Sequence, residues 1–384
     1  MLSHNLPLKI AKNPGNWHKQ LAYNRFQPSS INRPWTIDNP RVLEALSRAD
    51  RQLGRLDMFS EYAPNLDLFV RMHVTKEATE SSRIEDTRTE MEEAVLPEEE
   101  IAEDRRDDWR EVNNYIRAMR TAIEQLETLP FSNRLLREAH ATLMEGVRGE
   151  HKTPGEFRRS QNWIGGSNPG NARFVPPIAD DVPELMSDLE RFAHNTDLHL
   201  PPLLKVALMH YQFETIHPFL DGNGRIGRLM VPLYLVSQKI LKQPVLYLSD
   251  YLERNREEYY ERLTRVREKD AIADWLIFFL DGLAETAARG VDTFNEILRF
   301  KAQWEKEIAS WKPQGQSGLA LFEYLFGQVW VNAKMVAEAA DISQPTAYKL
   351  IDRFLQQGLL IEITGAKRDR IFLFDAYLKL YRRP

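Results

Sequence analysis

The sequence predicts a mainly α-helical fold, with β structure confined to a hairpin and a small C-terminal unit. Three observations carry this. Helical periodicity of apolar residues dominates from about residue 41 to 310. Two apolar-rich stretches, 202–213 and 226–240, read as helices flanking a glycine-containing turn. Near the C-terminus, Leu359–Ile363 and Arg370–Phe374 read as short strands on either side of a polar turn.

Taken in order, residues 1–35 are rich in Pro, Asn and Trp without periodicity, which suggests extended chain wrapped on the core. Asp38-Asn39-Pro40 then opens a helix over 41–54. Residues 77–86 have helical spacing and lead into an acidic stretch that runs from Glu85 through Glu98-Glu99-Glu100 to Asp107-Asp108, the pattern of a solvated face. In 158–177, Gly165, Gly166 and Gly170 suit a turn while Phe174 and Val175 suit a strand, so a β-hairpin is expected. Residues 310–318 have a linker's composition. Beyond them come helices over 319–326, 333–340 and 345–356, the last with Ser343 as cap and Pro345 in its first turn. These boundaries divide the chain into an N-terminal helical region (1–110), a central core (111–309) and a C-terminal domain (310–384).

Residues 217–228 hold the chemistry. Gly222 and Gly224 bracket Asn223, permitting positive φ angles and the backbone approach that turns successive N–H groups into a nest for phosphate oxygens. The helix that starts there adds its positive dipole end. Arg225 and Arg228 fall on neighbouring positions of one helix face, where both can reach a polyphosphate. Asp221 offers a hard oxygen ligand of the kind Mg²⁺ accepts. His217 is suited to take a proton from a hydroxyl near neutral pH. Together these residues imply hydroxyl attack on a nucleotide phosphate.

The stretch resembles the Fic family pattern His-Pro-Phe-x-(Asp/Glu)-Gly-Asn-Gly-Arg-x-x-Arg, matching it at every fixed position from His217 to Arg228. The resemblance implies an all-helical Fic core and transfer of AMP from ATP to a Ser, Thr or Tyr hydroxyl of a protein. It assigns His217 as general base and Asp221 as the Mg²⁺ ligand. Gly222, Asn223, Gly224 and Arg225 would form the anion hole, and Arg228 would hold the γ-phosphate. Residues 158–177 look like the family's target-docking flap, with Trp163, Ile164 and Gly165 facing the target; an ordinary hairpin packing Trp163 inward is the other reading. Tyr260, at the end of a charged helical stretch after Tyr247, either lines the adenine pocket, as the family suggests, or packs in the core.

Far upstream, residues 77–86 resemble the inhibitory helix of many Fic proteins, (Ser/Thr)-x-x-x-Glu-(Gly/Asn), with Ser81 and Glu85 at the marked positions. A spacing of four puts both on one helix face. In the family this glutamate pairs with the second motif arginine, so Glu85 would occupy Arg228. A charge-assisted bond of this kind contributes roughly 1.5 to 3 kcal/mol net. The next residue is Asp86 rather than Gly or Asn, which bears on how the helix ends.

The order helix, turn, helix, strand, basic turn, strand in the C-terminal domain resembles a winged helix. In that family Gln344, Thr346, Tyr348, Lys349 and Arg353 would face the DNA major groove, and Lys367 and Arg368 would meet phosphates. Residues 315–384 hold nine Lys and Arg against seven Asp and Glu, a surplus of two, which suits dimerisation or presentation of a protein target as well as it suits DNA.

Composition agrees without selecting among these. With 384 residues, 43% hydrophobic and 28% charged, the chain has the make-up of a soluble globular protein of two or three domains. A net charge of -5 argues against a wholly basic nucleic-acid binder. The absence of cysteine excludes disulfides and thiolate metal sites and is compatible with a reducing cytoplasm, where the protein is expected. No apolar window approaches a membrane span. The expected partners are a protein bearing a hydroxyl, the chain itself included, DNA through the C-terminal domain, and a second copy. Two further functions stand beside AMP transfer: a DNA-binding regulator that senses nucleotide, and removal of AMP from a modified protein.

Overall fold

The computed structural model describes residues 14–60, 62, 65–365 and 369–382. It opens with an antiparallel hairpin, β1 (Gly15–Lys19) and β2 (Asn24–Pro28), in which Trp17 faces Phe26. The expected extended chain is thus a regular ladder in part.

Among the described residues fifteen α-helices follow: α1 (Pro40–Ser60), α2 (Leu66–Ile84), α3 (Met91–Ala94), α4 (Arg106–Gln125), α5 (Asn133–Leu143), α6 (Val182–His194), α7 (Pro202–Ile216), α8 (Asn223–Ser237), α9 (Leu248–Arg254), α10 (Arg256–Lys269), α11 (Ile272–Ala309), α12 (Gly315–Leu325), α13 (Ala333–Ala339), α14 (Gln344–Gln356) and α15 (Asp375–Arg382). The first helix runs well past the 41–54 read from sequence. Its inward side, Val42, Ala45, Ala49, Leu53 and Leu56, packs along α11. That spacing of three and four is the apolar stripe of a helix seated on one neighbour.

The central layer is different. Every residue of α7 from Leu203 to Ile216 is buried, and α8 is buried almost throughout. A helix apolar on all sides is stable only when surrounded; α6, α8 and α11 pack around α7. Helix α2 is nearly as enclosed, buried from Met72 through Thr79, and lies against α4, α8 and α9. Its start is fixed by Asn65, whose side chain accepts from the Leu68 N–H at 2.9 Å.

Two expectations are corrected. The flap is no regular hairpin: its ladder is one antiparallel bridge, Ile164 to Phe174. Gly165 and Gly166 adopt φ of 70° and 71°, and the Asn171 side chain accepts from the Ser167 and Asn168 N–H groups, so the turn closes on itself before strands can extend. Residues 310–318 are no loose linker. Trp311 is buried edge-on against Phe354, and α12 already begins at Gly315. A Cβ on Gly318 would lie 2.7 Å from Ile308 Cγ2, so this glycine serves a close helix approach.

In the C-terminal domain α12, α13 and α14 pack with a three-stranded antiparallel sheet of order β3 (Trp330–Val331), β5 (Phe372–Leu373), β4 (Ile361–Glu362). Lys367 and Arg368 lie outside the described residues. Among the described residues, no helix is long and apolar enough to cross a membrane.

Candidate active site

Helix α7 ends at His217, which takes a left-handed conformation (φ 50°) and turns the chain into the 218–222 loop. The loop is pinned by Asn223, whose buried side chain accepts from the Phe219 N–H at 2.8 Å and donates to the Phe219 carbonyl at 2.9 Å. Gly222, at φ 69°, caps α8. The Asn223, Gly224 and Arg225 N–H groups belong to the first turn of α8, which has no intrahelical acceptor for them. The anion nest expected here is therefore backbone, and the Asn223 side chain serves the loop. His140 supports it from below. Its Nδ1 accepts from the Gly155 N–H at 2.8 Å, which leaves Nε2 as donor to the Asp221 carbonyl at 3.0 Å, and its ring stacks on Phe219 at 3.8 Å.

These elements line an open cleft of ≈ 1290 Å³ that brings together His217, Asp221, Arg228, Glu85, Tyr260 and Trp163. His217 Nδ1 is buried without a hydrogen-bond partner. Burial, and then the nearby Arg158 guanidinium, push the imidazole down to about 4, so it is neutral at pH 7. Arg158 fastens the flap to the motif: its Nε donates to the His217 carbonyl at 2.9 Å and an Nη to the Pro177 carbonyl at 2.6 Å.

The two arginines have different tasks. Arg225 is buried, with one Nη 3.2 Å from Glu111 Oε2 and the other 3.7 Å from Met144 Sδ. Arg228 is held by α2: its Nε donates to Ser81 Oγ at 2.8 Å, and one Nη reaches both the Ser81 carbonyl at 2.9 Å and Glu85 Oε1 at 2.7 Å. Ser81 and Glu85, distant in sequence from the motif, thus meet Arg228 as the family resemblance implied. Burial acts to raise the Glu85 carboxyl, but Arg228, with Arg225 and His217, outweighs it and holds the group below its ordinary range. The Glu85 side chain is 39% exposed against 2% for Arg228, so the penalty of burial falls mainly on the arginine.

Tyr260 lines the cleft beside Tyr259, ring centroids 5.0 Å apart. Both line the cleft and both pack on the core, Tyr259 fully buried with its hydroxyl 2.9 Å from His210 Nε2 and Tyr260 only partly buried. Trp163 stands 39% exposed at the cleft with Ile164 and Gly165.

Of the C-terminal residues, Gln344, Tyr348 and Lys349 are exposed. Thr346 Oγ1 is 2.9 Å from Ser343 Oγ. The Arg353 guanidinium lies over the Trp311 ring at 4.4 Å, a cation–π contact, and donates to Gln314.

Several residues at the site were not singled out from sequence. Glu111, which bridges Arg225 and Arg148, lies just past an acidic run read as solvated face. Glu214 lines the cleft with Oε1 unpartnered, and burial pushes its carboxyl up to about 7; its place three residues before His217 on α7 was the available signal. Lys152 had none: its Nζ is 2.8 Å from Asp221 Oδ2. That bond and the Gly222 N–H hold the Asp221 carboxyl below its ordinary range against the effect of burial.

The Fic/DOC family N-terminal profile matches residues 43–124 and the Fic/DOC family profile residues 130–235. The chain is 36% identical over 135 residues to protein adenylyltransferase Fic of Drosophila yakuba and 35% identical over 135 residues to that of Drosophila melanogaster. Each match covers 34% of this chain and 24% of the relative, so the chain matches about a quarter of these relatives' length. In fold, it is similar to the crystal structure of a Fic family protein from Desulfovibrio desulfuricans G20, with a TM-score of 0.55 at 22% identity, covering 89% of this chain and 97% of that one.

Proposed function

This chain belongs to the Fic/DOC family, and we propose that it transfers AMP from ATP to a Ser, Thr or Tyr hydroxyl of a protein, restrained by Glu85. The observation that carries the reading is one cleft in which a neutral imidazole, the first-turn N–H groups of α8 and a buried arginine converge.

His217 would accept the hydroxyl proton on its imidazole as the hydroxyl oxygen bonds to the α-phosphorus. The bond from that phosphorus to the bridging oxygen breaks and pyrophosphate leaves. Backbone N–H groups of Asn223, Gly224 and Arg225 would receive the charge on the phosphate oxygens. Asp221 fits Mg²⁺ as a single hard ligand at the lip of the cleft, in the manner of sites completed by substrate phosphates. When bound, the ion would neutralise phosphate charge. Glu85 holds Arg228 away from the γ-phosphate and brings a negative charge over the start of α8, where phosphate would lie.

Purified parent, Glu85→Gly and His217→Ala proteins, incubated with α-labelled ATP and Mg²⁺, test this. Protein-bound label should rise roughly ten- to a hundredfold in Glu85→Gly, the range a 1.5 to 3 kcal/mol bond gives, and disappear in His217→Ala. Equal labelling of folded parent and Glu85→Gly would remove the inhibitory role.

The partly exposed Glu85 carboxylate in the same cleft supports a second reading, hydrolytic removal of AMP with Glu85 orienting the water. Loss of label from an AMP-modified protein with parent, and not with Glu85→Gly, would favour it.

A further inference from the structure

Asp221 has both oxygens committed. Oδ1 accepts from the Gly222 N–H at 2.8 Å, and Oδ2 from Lys152 Nζ at 2.8 Å. The loop that delivers Lys152 is built closely around the carboxylate. The Lys152 N–H donates to the Gly149 carbonyl at 2.8 Å, and a Cβ on Gly149 would lie 2.9 Å from Asp221 Oδ2, in a residue already at φ 88°. The same loop carries a second cation, Arg148, but its Nε is bound to Glu111 Oε1 at 3.0 Å. One loop thus presents two positive charges, and of these Lys152 is the one bound to Asp221.

An ammonium and a divalent cation compete for that oxygen, because their like charges repel at contact distance. The pair is also easily exchanged, with side chains 41% and 38% exposed at the lip of the cleft. Resting on the AMP-transfer reading, which places a divalent cation at Asp221, we propose that Lys152 is a placeholder for that cation. It neutralises Asp221 and holds its rotamer while the ion is absent. It yields Oδ2 when the ion arrives, and so sets the concentration at which the ion binds. A flexible four-carbon stem ending in a point charge suits a group that must let go, where a bidentate guanidinium would not.

The test is equilibrium binding of Mn²⁺ followed by its electron paramagnetic resonance signal, with a non-hydrolysable ATP analogue held at a fixed saturating concentration, in parent, Lys152→Met, Arg148→Met and Asp221→Asn proteins. Lys152 is a lip residue, so Lys152→Met is expected to fold. Lys152→Met should bind Mn²⁺ roughly two- to fivefold more tightly than parent, the exchange value of an exposed ion pair. Asp221→Asn should lose the site. Arg148→Met removes the same charge from the same loop and should leave the affinity within about twofold of parent. Unchanged or weaker binding by Lys152→Met, no binding by parent and Lys152→Met alike, or equal tightening by Arg148→Met would overturn the proposal. Failure of the AMP-transfer reading would appear separately, as absence of label from ATP.

Discussion

A methyl group at position 224 would lie 2.3 Å from Glu85 Oε1 and 2.9 Å from an Arg228 Nη, so the motif's second glycine keeps the start of α8 open to whatever anion rests there. In this structure that anion is the Glu85 carboxylate. Gly224→Ala in a Glu85→Gly background removes the clash with Glu85 and leaves the approach of Arg228 and of phosphate to the start of α8. The expected result is ATP affinity about tenfold weaker than Glu85→Gly alone, measured by calorimetry, which corresponds to about 1.4 kcal/mol. Equal affinities would mean that Gly224 spaces only Glu85. His217 gives the pH dependence. With its imidazole held near 4, the base is present at neutral pH and lost as pH falls through that value. Polyphosphate charge in the cleft favours the protonated ring and moves the loss upward, toward about 6.5. The acid limb of kcat should therefore lie at higher pH than that of kcat/KM; coincident limbs would place the phosphates away from His217. That the motif residues share one cleft was legible because spacing within one turn and one helix face is fixed by backbone geometry. Lys152, Glu111 and Arg158 were not, because each reaches the site through tertiary packing that no local pattern records.

The end of α2 shows what one departure from a family pattern does to an element. Asp86 has φ 66°, the left-handed conformation in which Gly or Asn commonly follows a helix. The left-handed position thus exists here with aspartate in it, a residue that tolerates the conformation through its short polar side chain. Its carboxylate is 3.0 Å from an Arg256 Nη. Asp86→Ala would remove both supports and cost about 1 kcal/mol from left-handed strain. The lower melting temperature should come with a rise in labelling, as Glu85 loses its aim at Arg228. Asp86→Gly should recover stability while lacking the Arg256 contact; if it also restores low labelling, the backbone conformation alone aims Glu85. Other elements were misread for physical reasons. The glycines of the flap close a tight turn instead of joining strands, and those of 315–318 allow α12 to start close against the end of α11. Glycine marks close approach as well as flexibility, and composition does not separate the two.

Across the whole molecule, α2 joins two regions that the sequence presents as separate. At one end Ser81 and Glu85 hold Arg228. Further back, Lys76 Nζ donates to the Tyr381 carbonyl at 2.8 Å, the Tyr381 ring lies 5.3 Å from His73, and an Arg71 Nη donates to the Gly327 carbonyl at 2.6 Å. Arg382 pairs with Glu92 beyond the same helix. The segment that holds Arg228 is therefore seated between the motif and the C-terminal helix α15, on one helix of 19 residues. Periodicity made each helix legible, but not which helices meet, since contacts between residues some 300 positions apart leave no local pattern. Tyr381→Ala removes a buried ring, and the expected cost is about 3 to 5 kcal/mol by comparison with other aromatic truncations. Looser seating of α2 should raise labelling by AMP in the parent background. The decisive comparison is made in Glu85→Gly, where there is no carboxylate left to misplace. If the C-terminal helix acts through the seat of Glu85, Tyr381→Ala adds nothing there, and the double-mutant cycle shows strong non-additivity. An equal rise in both backgrounds would mean that the C-terminal helix affects the cleft by some route other than α2.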